Sequence, residues 1–240
     1  MSLAFEELDY APTPMGGLSL RRRCDLATGE DVFEVKLGEA FLMSSRFSTS
    51  EIALAELGLA ACAGDALSVV VGGLGLGYTA RRALDEARVA ELVVVETMAP
   101  VIKWHEGGLV PLGSGLSADN RCRFVEGDFF ALAASVAGFD SEAAGRRFDA
   151  ILVDIDHTPD FHLDLAHAGF YTPAGLQQLA AHLRPGGVFG LWSNEPPDDA
   201  FTDRLAGVFA TAEAAPVTFW NPLQGCEVIQ TVYLATTAGG

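Results

Sequence analysis

The sequence predicts an α/β protein: an open, mostly parallel seven-stranded sheet covered by helices, preceded by a small N-terminal β-strand segment. Three observations carry this. The β-branched run Val69, Val70 and Val71 passes directly into Gly72-Gly73-Leu74-Gly75-Leu76-Gly77 and then into helix-forming residues, so it reads as strand, glycine turn, helix. From there, short apolar runs alternate with helical patterns, as in a parallel sheet with helices on both faces. The last two strand candidates are separated only by Asn221-Pro222-Leu223-Gln224-Gly225, the spacing of an antiparallel hairpin.

Residues 1–50 are expected to form a small β meander. Residues 18–23, 31–37 and 40–43 are strand-like pieces separated by Thr28-Gly29 and Gly38. Ser48, Thr49, Ser50 and Glu51 supply cap residues before a first helix over 52–63, which opens the main domain, residues 51–240. Its strands are expected at 68–72, 92–96, 122–126, 148–154, 188–193, 213–220 and 228–235, and its helices at 78–87, 100–107, 129–136, 172–183 and 198–211. Leu183-Arg184-Pro185-Gly186-Gly187 reads as a helix end followed by a turn. A parallel sheet finished by a hairpin is the Rossmann-like, class I methyltransferase arrangement.

At 240 residues the chain can bury a large core. Its formal charge of −17 repels phosphate backbones and anionic membrane surfaces, so no nucleic acid or membrane partner is expected. Cys24, Cys62, Cys122 and Cys226 are scattered, with no C-x-x-C pair; they read as buried thiols. The N-terminus has no secretory pattern and no apolar run is long enough to span a bilayer, so a cytoplasmic location is expected.

In an open α/β sheet, ligands bind outside the carboxyl ends of the strands. The glycines at Gly72, Gly73, Gly75 and Gly77 either let backbone N–H groups approach a nucleotide or simply pack a helix tightly against its strand. Glu96 ends the next strand, 19 residues beyond Gly77, where a carboxylate can accept from both ribose hydroxyls. Asp128, after the third strand, either accepts from an exocyclic amine such as that of adenine or caps the helix beginning at Phe129, whose ring could lie against the purine. The fourth strand ends in Asp154-Ile155-Asp156-His157, the candidate catalytic groups. The run Asp156, His157, Asp160, His162, Asp164 and His167 either holds a divalent metal that orients a hydroxylated acceptor or forms a lid loop with solvated charges; its spacing matches no metal signature, so no metal is expected. Trp192, Ser193 and Asn194 either line an acceptor pocket or pack at a strand end.

The series V-V-V-G-G-L-G-L-G, V-V-V-E, V-E-G-D-F-F, R-F-D-A-I-L-V-D and Y-T-P-A-G-L-Q-Q-L-A-A-H-L-R-P-G-G-V, over about residues 15–195, resembles the spermidine synthase group of the methyltransferase superfold. The resemblance implies an adenosyl-sulfonium or thioether nucleoside in the cleft, a β-strand N-terminal domain and a homodimer. It puts Glu96 on the ribose, Asp128 on the adenine amine and Asp154 where the family has the acid that deprotonates the attacking amine. The chain departs from the family in three places. Gly75 stands where the family's loop has an Asp that helps hold the amine of decarboxylated S-adenosylmethionine, the acids Asp154 and Asp156 are two apart rather than three, and the family's Tyr-Gln pair has no clear counterpart. Loss of the loop Asp weakens a decarboxylated donor by about 1.5 to 3 kcal/mol, the worth of a charge-assisted hydrogen bond. S-adenosylmethionine-dependent methyl transfer to a small molecule such as a cationic amine is therefore the expected reaction. Aminopropyl transfer from decarboxylated S-adenosylmethionine and a non-catalytic nucleoside-binding regulator are the alternatives.

Overall fold

The alternation read from Leu67 onward builds a seven-stranded sheet. A computed structural model describes residues 5–26 and 28–240; the first four residues of the expected N-terminal segment and Ala27 lie outside them. Strands β1 (Phe5–Thr13), β2 (Gly16–Cys24), β3 (Asp31–Leu37) and β4 (Ala40–Ser44) form an antiparallel meander. Helix α1 (Thr49–Ala60) follows. Then come β5 (Leu67–Gly72), α2 (Tyr78–Asp85), β6 (Val89–Glu96), α3 (Ala99–Glu106), α4 (Gly113–Ala118), β7 (Cys122–Glu126), α5 (Phe129–Ala134), β8 (Phe148–Val153), α6 (Pro173–Ala180), β9 (Leu183–Ser193), α7 (Asp199–Ala206), β10 (Thr211–Asn221) and β11 (Cys226–Thr236). The strand order is β10-β11-β9-β8-β5-β6-β7, with β10 and β11 antiparallel and the other five strands parallel.

The strand period of two sorts the central residues between two cores. Val69, Val71 and Leu152 face one layer with Leu54 and Leu59 of α1 and Ala80 of α2. Val70, Ile151 and Val153 face the other, with Phe129 of α5, Leu176 of α6 and Phe201 of α7. All of β5 is buried, which is why it reads as a continuous apolar run rather than an alternating one.

Several expectations are corrected. Strand β1 was not legible because a register shift between Glu7 and Asp9 breaks its alternation and Pro12 lies within it. Helix α1 starts a turn early, at Thr49, with no side-chain cap from Ser48, and Ser50 points inward. Helix α6 ends at Ala180, and Leu183 already pairs with Phe148 as the first residue of β9. Helix α4, from the poor helix-forming string G-S-G-L-S-A, forms because Gly113 sits against the His105 backbone, with room for no Cβ, while Leu116 is buried. Of the four free thiols, Cys62 is buried and its thiol pushed up to about 12 by that burial, whereas Cys226 is exposed. Among the described residues no helix is long and apolar enough to cross a membrane.

Leu18, Leu20 and Val35 of the meander belong to the same core as Leu54 and Val69, and the indole of Trp104 donates to Asp9 Oδ2 at 2.6 Å. A small meander is barely stable alone, so limited proteolysis is expected to yield no protected fragment of the first 50 residues. Recovery of such a fragment with intact strand circular dichroism would refute this dependence.

Candidate functional site

At the carboxyl end of β5 the chain turns through Gly73, held at φ +90° with its Cα so close to β8 that a Cβ would lie 2.2 Å from the Asp154 carbonyl oxygen. Only glycine satisfies both conditions. Gly72 makes room for a different partner: a Cβ there would meet the Phe129 ring at 2.6 Å. Gly77 is the residue preceding α2, and the Gly75 carbonyl accepts from His105 Nε2 at 2.9 Å, a ring kept neutral by burial.

Glu96, at the tip of β6, is buried. Its Oε2 accepts the Leu74 N–H of the glycine loop at 3.0 Å, and its Oε1 accepts the Met98 N–H at 2.8 Å. Burial raises its pKa and these N–H groups oppose that rise. One carboxylate thus shapes the loop, with the Gly75 and Thr97 N–H groups also turned toward it, while it lines the cleft.

Both readings of Asp128 find support in its placement. Its Oδ1 caps α5 by accepting from Phe130 N at 2.9 Å and Ala131 N at 3.2 Å, while the residue also lines the cleft, where its second oxygen takes no part in the cap. Phe129 is buried and stacks on Phe139, with ring centroids 4.9 Å apart, so its ring belongs chiefly to the core and reaches the cleft at one edge. The neighbouring Phe130, not singled out in the sequence, is the more accessible ring.

The cleft consists of two solvent-open spaces, of about 690 Å³ and about 540 Å³, which share Gly73, Gly75, Asp154, Ile155 and Trp192. The larger contains Glu96, Asp128 and Phe129. The smaller contains Glu51, Tyr78 and Gly77. Leu42 and Met43 of β4 line both, so the N-terminal meander walls the site.

Asp154 stands at the junction. Its Oδ2 accepts from Thr79 Oγ1 at 2.8 Å, and burial raises its pKa to about 6. Glu51, from the first turn of α1, enters the same space. Burial, with the Asp154 charge next, raises its pKa to about 8. Sequence reasoning passed over Glu51 as a cap residue; an acid in the first turn of a helix looks like an ordinary response to the helix dipole.

Asp156 does not join Asp154. It is buried, accepting from Leu163 N at 2.7 Å and Tyr171 Oη at 2.9 Å, with His167 Nδ1 at 2.9 Å, and so it anchors the loop after β8. His157 lines the cleft, edge-on to Phe161, and its Nδ1 is buried with no partner among the described residues. The run from 156 to 167 is the connection over the cleft edge; among the described residues no three His, Cys, Asp or Glu side chains converge as metal ligands. Trp192 lines both spaces and donates through Nε1 to Ser50 Oγ at 2.9 Å, whereas Ser193 is buried in β9 and Asn194 Oδ1 accepts from Gln230 Nε2 at 2.6 Å.

No family model matches the chain. Its backbone is similar to that of a spermidine synthase in complex with the transition-state analogue AdoDATO, with a TM-score of 0.75 at 17% identity over 98% of this chain and 74% of that one. The spermidine synthase from Thermotoga maritima gives 0.73, also at 17% identity over 98% and 74%. Human methyltransferase-like protein 13 in complex with SAH gives 0.59 at 21% identity over 79% and 82%. The fold is therefore the spermidine synthase-like form of the class I methyltransferase fold, the Rossmann-like architecture with a small N-terminal β-strand unit expected from the sequence.

Proposed function

We propose that this protein is a transferase that moves a group from the sulfonium of an adenosyl donor to a small-molecule acceptor. The observation that carries the reading is the placement of Glu96, Asp128 and Asp154, from the tips of three strands, around one cleft beside the glycine loop. Two neighbours in fold carry AdoDATO or SAH, which supports an adenosyl ligand here. The residues present fit it: Glu96 lines the cleft at the tip of β6, where a ribose would lie, Asp128 has an oxygen outside its cap, and Gly73 and Gly75 leave backbone where a Cβ would stand. The donor supplies an electrophilic carbon on sulfur. The chain's own groups bind, orient and take the proton: Asp154, at the junction of the two spaces, accepts it from an attacking amine or hydroxyl.

The smaller space is lined by Glu51 and Asp154 and by no Lys or Arg side chain among the described residues. A carboxylate on the donor's tail would face two acids, whereas an amine would find an acceptor. Glu51 thereby supplies the acidity that the loop lacks at Gly75. This favours decarboxylated S-adenosylmethionine and aminopropyl transfer over methyl transfer. Methyl transfer from S-adenosylmethionine is the second reading, supported by the favourable setting that the N-terminus of α2 offers a carboxylate. A cationic amine acceptor suits the acidic lining under either reading, and a homodimer is part of the proposal through the resemblance alone.

Glu96→Ala is expected to weaken binding of methylthioadenosine, measured by calorimetry, by about 10- to 1,000-fold, since charged hydrogen bonds contribute about 1.5 to 3 kcal/mol each and overlap in effect. Unchanged affinity would remove Glu96 from the ribose role. Turnover with S-adenosylmethionine or with its decarboxylated form, each offered with a panel of amines, decides between the two transferred groups; tight binding of both without turnover of any amine or hydroxyl acceptor would leave a binding protein instead.

A further inference from the structure

We propose that Asp156 is a positioning residue for the donor's base: its buried carboxylate fixes Leu163 and, through His167, the ring of Phe130, and the base lies against these two side chains in the larger space. This rests on the transferase reading and gives the second acid after β8 a role on the nucleoside instead of on the acceptor.

Asp156 lines neither space of the cleft, yet it holds two residues that bear on the larger one. Its Oδ1 accepts the Leu163 N–H at 2.7 Å, and the Leu163 side chain lines the larger space. Its Oδ2 accepts from Tyr171 Oη at 2.9 Å, which ties the carboxylate to the residue before the Thr172 cap of α6. His167 Nδ1 lies 2.9 Å from Oδ1 and 3.1 Å from Oδ2. A buried carboxylate that already takes two donors is completed by an Nδ1–H from this ring. The turn that carries His167, Leu165–Gly169, is held in its own right by Asp164 Oδ1, which accepts the Ala166 N–H at 2.9 Å.

The imidazole so held lies flat on Phe130, with ring centroids 3.9 Å apart and planes 26° from parallel. Phe129 and Phe170 meet Phe130 at 90° and 76°, so His167 is the neighbour that sets the plane of the ring. Phe130 sits in the first turn of α5, lining the larger space beside Asp128, whose Oδ2 takes no part in the cap. A carboxylate oxygen next to an aromatic ring suits a flat base with an exocyclic amine: the oxygen accepts from the amine and the ring packs on the π-face. A ring fixed before the ligand arrives gives this contact without the entropy cost of ordering a loose side chain.

Calorimetry with methylthioadenosine, with melting temperatures measured alongside, tests the role. Asp156→Ala and Phe130→Leu are each expected to weaken binding by about tenfold or more, as loss of one base–aromatic contact does. Asp156→Asn keeps an oxygen for Leu163 N–H and His167 Nδ1–H, which both meet Oδ1, and is expected to stay within about threefold of wild type. An acid that held a cationic group by its charge would instead lose as much in Asn as in Ala. The double variant Asp156→Ala/Phe130→Leu is expected to lose clearly less than the product of the two single losses, because one side chain acts through the other. Unchanged affinity in Asp156→Ala or Phe130→Leu, equal losses in Asp156→Asn and Asp156→Ala, or single losses that multiply would each overturn the role. Should Asp156→Ala not fold, His167→Ala removes the stacked ring, leaves the carboxylate its other two donors, and carries the same expectation and the same refutation. Wild type that binds no methylthioadenosine would overturn the transferase reading together with this role; wild type that binds it, with variants indifferent to the change, overturns this role alone.

Discussion

Asp154→Asn is expected to lower the transfer rate by about 10² to 10⁴, the usual contribution of a general base, while nucleoside binding and folding persist. Asn can still present an oxygen to the Thr79 hydroxyl that now lies 2.8 Å from Asp154 Oδ2, so the local hydrogen bond survives and what is lost is the ability to take a proton. In wild type the rate is expected to rise with pH through about 6, where burial places the Asp154 titration, because the base acts only when ionised. The variant's profile should lose that limb. Steady-state rates on the active amine, with affinity for methylthioadenosine measured alongside, check both points. A rate loss below about fivefold would take Asp154 out of proton transfer, and His157, whose buried Nδ1 has no partner among the described residues and which lines the same cleft, would be tested next.

Gly73→Ala is expected to be among the most damaging single substitutions for stability. The backbone there has φ +90°, outside the regions that side chains tolerate, which costs about 1 to 3 kcal/mol. The added Cβ would also lie 2.2 Å from the Asp154 carbonyl oxygen, so two central strands must separate. The sum is about 3 kcal/mol or more, which lowers the melting temperature of a chain this long by roughly 6 to 12 °C. Gly75→Ala is the internal control. Its φ of +49° falls in the left-handed region and its Cβ would meet the Met43 side chain, which can move, so a loss of about 1 kcal/mol is expected. Differential scanning calorimetry of the two variants measures the contrast; equal losses would mean that the close approach to β8 is not what demands glycine at Gly73.

How much of this was legible in the chain varies with how local the cause is. The strand ends at Gly72, Glu96 and Ser193 fall where the apolar runs stop, because a strand buried on both faces has to be apolar along its buried length and becomes polar where it reaches the end of the sheet. Both readings of Asp128 were visible because capping and cleft placement depend on the same strand-to-helix junction. Strand β1 was hidden by its register shift, and α4 by a composition that favours a loop until His105 and the core supply the packing.

The sequence by itself determined the seven-stranded sheet, five parallel strands closed by a terminal hairpin, together with the glycine turn and the acids at the strand tips, since each follows from hydrophobic periodicity or the needs of one turn. The tertiary structure alone decided which acids meet. Asp154 and Asp156 are two residues apart, yet the chain turns after β8 so that one faces the cleft and the other the buried anchor of Leu163, His167 and Tyr171. Glu51 reaches the space beside Asp154 because α1 packs against α2 and β9. No local pattern encodes that meeting, because proximity between residues so distant in sequence is a property of packing and not of spacing.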